Sequence, residues 1–134
     1  MNKISNVEGV GPVYAEKLEA AGISTTDQLL EKGATLQGRK LVAEASGISE
    51  KLILEWVGMV DMYRIKGVKG HFSELLKASG VDTVVELAHR NAENLHAKMA
   101  EVNDAKKLSG RTPTLSEVEQ WISQAKEMPR MVSY

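Results

Sequence analysis

Shifted by 58 residues, the chain matches itself: residues 7–29, VEGVGPVYAEKLEAAGISTTDQL, lie over residues 65–87, IKGVKGHFSELLKASGVDTVVEL, without a gap. Eight of the 23 positions are identical, Gly9/Gly67, Val10/Val68, Leu18/Leu76, Gly22/Gly80 and Leu29/Leu87 among them. Unrelated segments would share about one or two, so the chain is read as two copies of one structural unit. Whatever the first copy folds into, the second must approximate.

The punctuation of each copy has physical causes. Gly9 and Gly11 permit a turn that a Cβ would obstruct, and Pro12 suits the first turn of a helix, where its missing N–H needs no partner. Gly22 and Gly80 suit left-handed helix ends. Thr25 with Gln28, and Thr83 with Glu86, have the spacing of a capping box, so another helix starts at each. Beyond the matched segment, Leu52, Ile53, Trp56, Val57, Val60 and Tyr63 recur at helical spacing, with Ser49 as N-cap after Gly47. The plan recurs in NLHAKMAEVN and LSEVEQWISQA, where Trp121 resembles Trp56 in closing its repeat. There the short turn is replaced by a longer loop, DAKKLSGRTPT, and Thr114 with Glu117 supplies one more capping box.

No segment alternates with period two, so the fold class is all-α. Ten or so helices are expected in two tandem five-helix units, residues 1–61 and 62–127, joined through a long helix from Ser49 to about Ile65, with 128–134 as an extended C-terminal tail.

At 134 residues and 43% hydrophobic, the chain can bury one ordinary core or two small ones. It has no cysteine, which excludes disulfides, thiolate nucleophiles and cysteine-bound metals and fits a reducing compartment, so a cytoplasmic location is expected. The first ten residues hold no apolar run of signal-peptide length, and no stretch approaches the ~20 apolar residues that span a bilayer. The formal net charge of −1 argues against coating nucleic acid by charge alone. Residues 1–64 carry seven basic against nine acidic side chains and residues 65–134 ten against nine, so any basic footprint belongs to the second half, around Arg64, Lys66, Lys69 and Lys77 or around Lys106, Lys107 and Arg111.

The stretch ISNVEGVGPVYAEKLEAAGI resembles a helix-hairpin-helix motif: Ile4 and Val7 precede the Gly9-Val10-Gly11 hairpin, and Ala15 and Leu18 follow on the packed face. The five-helix plan resembles the paired helix-hairpin-helix (SAM-like) domain of many DNA repair and recombination proteins. Nearly the whole chain, from Ile4 to the WISQAKEMPRMVSY ending, resembles a bacterial and archaeal family of unknown function built from two such units in tandem. The resemblance implies that backbone N–H groups of the hairpin and the positive end of the next helix hold a phosphate oxygen, reading backbone and not bases. Carried over, it points to Gly9, Val10, Gly11 and Lys17 in the first copy and to Lys66, Gly67, Val68, Lys69 and Gly70 in the second. The match is partial: Pro12 removes one N–H, Val13 stands where DNA-binding members often have Lys or Arg, and Lys69 replaces the second glycine with His71 opposite Val13.

Other chemistries find little support. Tyr14 and Phe72 occupy equivalent positions and are read as core packing rather than base-stacking platforms. Glu86, His89, Glu93 and His96 match no spacing of a known metal geometry, Asn91 reading as an N-cap between two helices. No nucleophile–base order and no Walker-type loop is present, so the chain is expected to be no enzyme and to need no cofactor or metal. Two functions remain open: sequence-independent binding of DNA or another nucleic acid, and a protein-interaction module or scaffold.

Overall fold

Six side chains start six of the helices. Thr25, Thr35, Ser49, Thr83, Asn91 and Thr114 each accept a hydrogen bond from the backbone N–H three residues on, at 3.0–3.3 Å, satisfying one of the donors that a helix leaves unpaired at its start. The computed structural model describes residues 3–7, 9–68 and 71–133. A 3-10 turn, η1 (Ile4–Asn6), precedes α1 (Pro12–Ala20), α2 (Thr26–Gly33), α3 (Leu36–Ser46) and α4 (Glu50–Met62). After it come α5 (His71–Ala78), α6 (Val84–Ala88), α7 (Ala92–Lys106) and α8 (Leu115–Glu127). The chain is therefore all-α: eight α-helices and no sheet among the described residues, with one isolated bridge between Lys3 and Thr25.

This is fewer helices than the ten or so expected, and the difference is local. The segment before each glycine turn makes only a tight turn: Val7 N–H donates to Ile4 O at 3.1 Å, and Ile65 N–H to Met62 O at 3.0 Å. In the first copy the residues on either side of that turn, Lys3 and Val7, are extended, with ψ 145° and 131°, so it cannot lengthen into a helix. The helix expected to reach Ile65 ends at Met62.

By contacts the chain divides into two compact units, Met1–Asp61 with Met131–Tyr134, and Met62–Arg130. In the first, α1 packs on η1 and α3, and α2 on α3; Ile4, Leu18, Ile23, Leu29, Ile53 and Trp56 are among its buried residues. A charged group is buried there too. Arg39 is 2% exposed and donates through Nη1 to Gly33 O at 2.8 Å and Ala34 O at 3.2 Å, and through Nη2 to Ser133 O at 2.6 Å. Ser133 N–H donates back to Ala34 O at 2.8 Å, and Val132 is buried. The last described residues of the expected tail are thus docked in extended form.

In the second unit, α8 packs on α6 and α7, and α5 on α7. Its core gathers Met62, Ile65, Leu75, Leu87, Leu95, Met99, Val118 and Trp121, with Phe72 and Leu108 packed against it. Among the described residues no helix is long and apolar enough to cross a membrane.

Candidate functional site

Each copy seats its glycine turn on a tryptophan. Gly9 has φ +88° and Gly67 φ +96°, conformations that favour glycine. A Cβ at Gly9 would stand 3.4 Å from Trp56 Nε1, and one at Gly67 3.0 Å from Trp121 Nε1. Both tryptophans are buried, and each packs against an aromatic residue in the first turn of the helix that follows the glycine turn: Tyr14–Trp56 at 5.2 Å and 61°, Phe72–Trp121 at 5.4 Å and 55°. Ten residues past each left-handed glycine at the end of α1 and α5, a cation donates to its carbonyl: Lys32 Nζ to Gly22 O at 3.2 Å, Arg90 Nη1 to Gly80 O at 3.5 Å. Tyr14, Phe72, Trp56 and Trp121 are core or core-facing, as their helical spacing implies.

The first turn ends in an uncapped helix. Gly11 is the N-cap of α1 and, lacking a side chain, offers no cap hydrogen bond; Pro12 follows at N1. The N–H groups of Val13 and Tyr14 have no acceptor one turn earlier in their own helix. Gly11 itself has φ −80° and ψ 178°, open to any residue, and a Cβ there would meet nothing within 4 Å. The expectation that a Cβ at Gly11 would obstruct the turn is therefore overturned, and the fold gives no reason for glycine at this position. Beside it Val13 is 67% exposed.

Other expected contacts are placed less favourably. The Val10 and Val68 side chains are buried, and their N–H groups already donate to Val7 O at 3.0 Å and Ile65 O at 3.1 Å. Lys17 is exposed but lies in the last turn of α1, about 7 Å along the axis from the helix start, where it complements the negative helix end. Lys66 is exposed, and its peptide is clamped by one side chain: its N–H donates to Gln124 Oε1 at 2.8 Å and its carbonyl accepts from Gln124 Nε2 at 3.1 Å. Lys69 and Gly70 lie outside the described residues. The turns of the two copies belong to separate units, so Gly9–Gly11 and Lys66–Val68 are treated as two sites.

Two side chains at the second site escape sequence reading. Gln124 carries no local signal, since its partner lies 58 residues away. Arg111 could be noticed only as one of several basic residues. Its guanidinium sits 5.0 Å from the Phe72 ring centroid and donates to both Glu117 oxygens, at 2.6 and 2.9 Å. Those bonds, with the Thr114 N–H, hold the Glu117 carboxyl down at about 2 and raise the Arg111 guanidinium above its ordinary value. Glu117 also completes the capping box of α8.

The capping box of α6 is only half built. Thr83 accepts from Glu86 N–H at 3.3 Å, but the Glu86 carboxyl hydrogen-bonds Asp82. That bond, then burial and the Asp82 charge, push Glu86 up to about 7 against the opposing pull of Arg90. In the first copy, Gln28 Oε1 instead accepts from Ser24 N–H at 2.7 Å and Thr25 N–H at 3.2 Å. Because the folded chain holds the Glu86 proton more tightly than the unfolded chain, the stabilisation is full below the ordinary value near 4.5 and is lost as pH rises through 7. Glu86→Gln should therefore leave stability unchanged at pH 4 and raise it above pH 7. Water screens so exposed a pair, and the gain should be about 0.5–1 kcal/mol. Urea unfolding of both proteins from pH 4 to 8 checks this; parallel curves would contradict it.

His89 caps the end of α6 and Glu93 lies in the first turn of α7, across the Asn91 N-cap, so the two share no helix face. Among the described residues no group of three or more His, Asp or Glu is arranged to hold a metal ion.

Residues 8–128 match the model of a family described as a domain of unknown function, DUF4332. No curated protein and no solved structure matches the chain.

Proposed function

The chain belongs to the DUF4332 family, and from the geometry of its glycine turns we propose that it is a non-enzymatic helix-hairpin-helix protein that binds a nucleic-acid backbone without reading sequence. The observation that carries this reading is Gly11. Its dihedrals suit any residue, a Cβ would meet nothing, and among the described N-cap residues of the α-helices it alone gives no side-chain cap. A bare N-cap beside unpaired N–H groups leaves room for a phosphate oxygen to approach the backbone closely. The N–H groups of Gly11, Val13 and Tyr14 are the donors, and the Trp56 seat under Gly9 holds them in place beforehand.

In the second unit, Gln124 fixes the Lys66 peptide and leaves the Lys66 side chain exposed for a second phosphate. Contacts of this kind are to phosphate alone, so duplexes of different sequence bind alike. DNA is the expected nucleic acid by the helix-hairpin-helix resemblance.

A serine at position 11 tests this without disturbing the fold. Its hydroxyl would cap α1 and change stability by only a few tenths of a kcal/mol, while occupying the N–H groups and the space that phosphate needs. Gly11→Ser should melt no lower than the wild type and bind random duplex DNA at least about tenfold more weakly, a loss of about 1.4 kcal/mol. Equal affinity would remove the turn from the site.

A second reading has one observation in its favour. Leu36, Leu41 and Met131 of the first unit are exposed at 45, 59 and 42%, which suits contact with a protein partner. Gly11→Ser would leave such a contact intact.

A further inference from the structure

The loop of residues 107–114 is the main departure between the two copies, and it is firmly built. Asn103 Oδ1 accepts from Ser109 N–H at 2.8 Å, Pro113 is buried, and Glu117 grips both arms of Arg111. Where the first unit passes from the left-handed end of α3 at Gly47 straight to Ser49, the second opens a cleft between this loop, the later turns of α7 and the start of α5. It consists of adjoining hollows of about 920 and 430 Å³ that share His71, Ser109 and Gly110, within the ~300–1,000 Å³ range of small-ligand sites.

The walls divide by chemistry. In the smaller hollow the Arg111 guanidinium lies over Phe72 with its edge taken by Glu117, yet the side chain remains 58% exposed. Contact with Phe72 and Glu117 thus leaves much of the guanidinium open to solvent, and nucleic-acid bases stack on guanidinium planes. Because Glu117 already neutralises it, Arg111 suits a flat uncharged ring better than a phosphate. The larger hollow carries Lys107 and His71, whose cationic forms suit a phosphate, and Glu101 and Asp104, whose carboxylates are acceptors of the kind that sugar hydroxyls donate to.

We propose that this cleft binds one unpaired nucleotide at the end of a nucleic-acid strand, its base stacked on the Arg111 guanidinium and its phosphate toward Lys107. The inference rests on the backbone-binding reading above and adds a preference for strand ends to it.

Two substitutions suit the fold. A Cβ at Gly110 meets nothing within 4 Å, so Gly110→Trp fills the cleft from open space. Lys107 has φ +51°, so Lys107→Gly removes the cation at a position glycine adopts more readily. Fluorescence anisotropy would compare a blunt DNA duplex with the same duplex carrying a single-nucleotide DNA or RNA overhang at either end. The overhang should tighten wild-type binding about tenfold, within the effect of one stacked base. Gly110→Trp should abolish that gain and Lys107→Gly reduce it, with blunt-duplex affinity unchanged and melting no lower. Blunt duplex bound with no gain from any overhang overturns the strand-end site alone. No binding of any of these probes overturns the backbone reading and this inference together.

Discussion

Trp121→Ala is expected to cost the second unit about 3–5 kcal/mol, the usual result of emptying a buried tryptophan site. Three things fail at once. The core loses its largest fully buried side chain, Phe72 loses its ring partner at 5.4 Å, and Gly67 loses the indole beneath its turn. Folded domains are stable by about 5–15 kcal/mol, so this is a large fraction of the total. Trp121→Phe keeps a ring against Phe72 and should retain more than half of the lost stability. Urea unfolding followed by circular dichroism measures both. A cost below about 1 kcal/mol would mean that the Gly67 turn is held by something other than this packing.

Arg39→Met is the second large effect, about 2–4 kcal/mol. Methionine replaces the buried aliphatic stem but not the guanidinium. The carbonyls of Gly33, Ala34 and Ser133 then each lose a donor; Ala34 O keeps the Ser133 N–H, but the bond to Gly33 O is buried, and a buried acceptor left unpaired costs about 1–3 kcal/mol. Replacing a buried ion pair by apolar residues is often harmless, but these three acceptors are backbone groups that no substitution at Arg39 removes. The signature is local as well as global: hydrogen exchange at Ser133 N–H, which donates to Ala34 O, should accelerate with the loss of stability. Unchanged protection at Ser133 would show that Arg39 does not hold the docked end of the chain.

Local features were legible in the sequence because their partners are near in the chain. The threonine N-caps act over three residues, the left-handed glycines report their own dihedrals, and Trp56 and Trp121 follow a helical period. The long-range partners were not. Arg39 in LQGRKLV reads as one more solvated cation until Ser133, 94 residues on, supplies its acceptor. The Lys66–Gln124 clamp spans 58 residues. Glu86 matched the capping-box pattern, yet its carboxyl found Asp82 where the first copy has Ser24. The turn before Gly9 did not grow into a helix because the residues flanking it, Lys3 and Val7, are extended. At the site, the glycines and Lys66 were visible, whereas the bareness of Gly11, the seat under Gly9 and the placement of Arg111 over Phe72 required coordinates.

The central claim is that glycine turns bind phosphate backbone, and salt dependence tests it most directly. Anisotropy of the wild-type protein against two random duplexes of unrelated sequence, at about 50 and 200 mM salt, separates phosphate contacts from other association because only they weaken steeply between those conditions. The account predicts binding at the lower salt, equal for both sequences, that falls sharply at the higher. Absence of binding to either duplex at the lower salt would contradict it and leave Gly9 and Gly11 as a turn that only joins two helical segments.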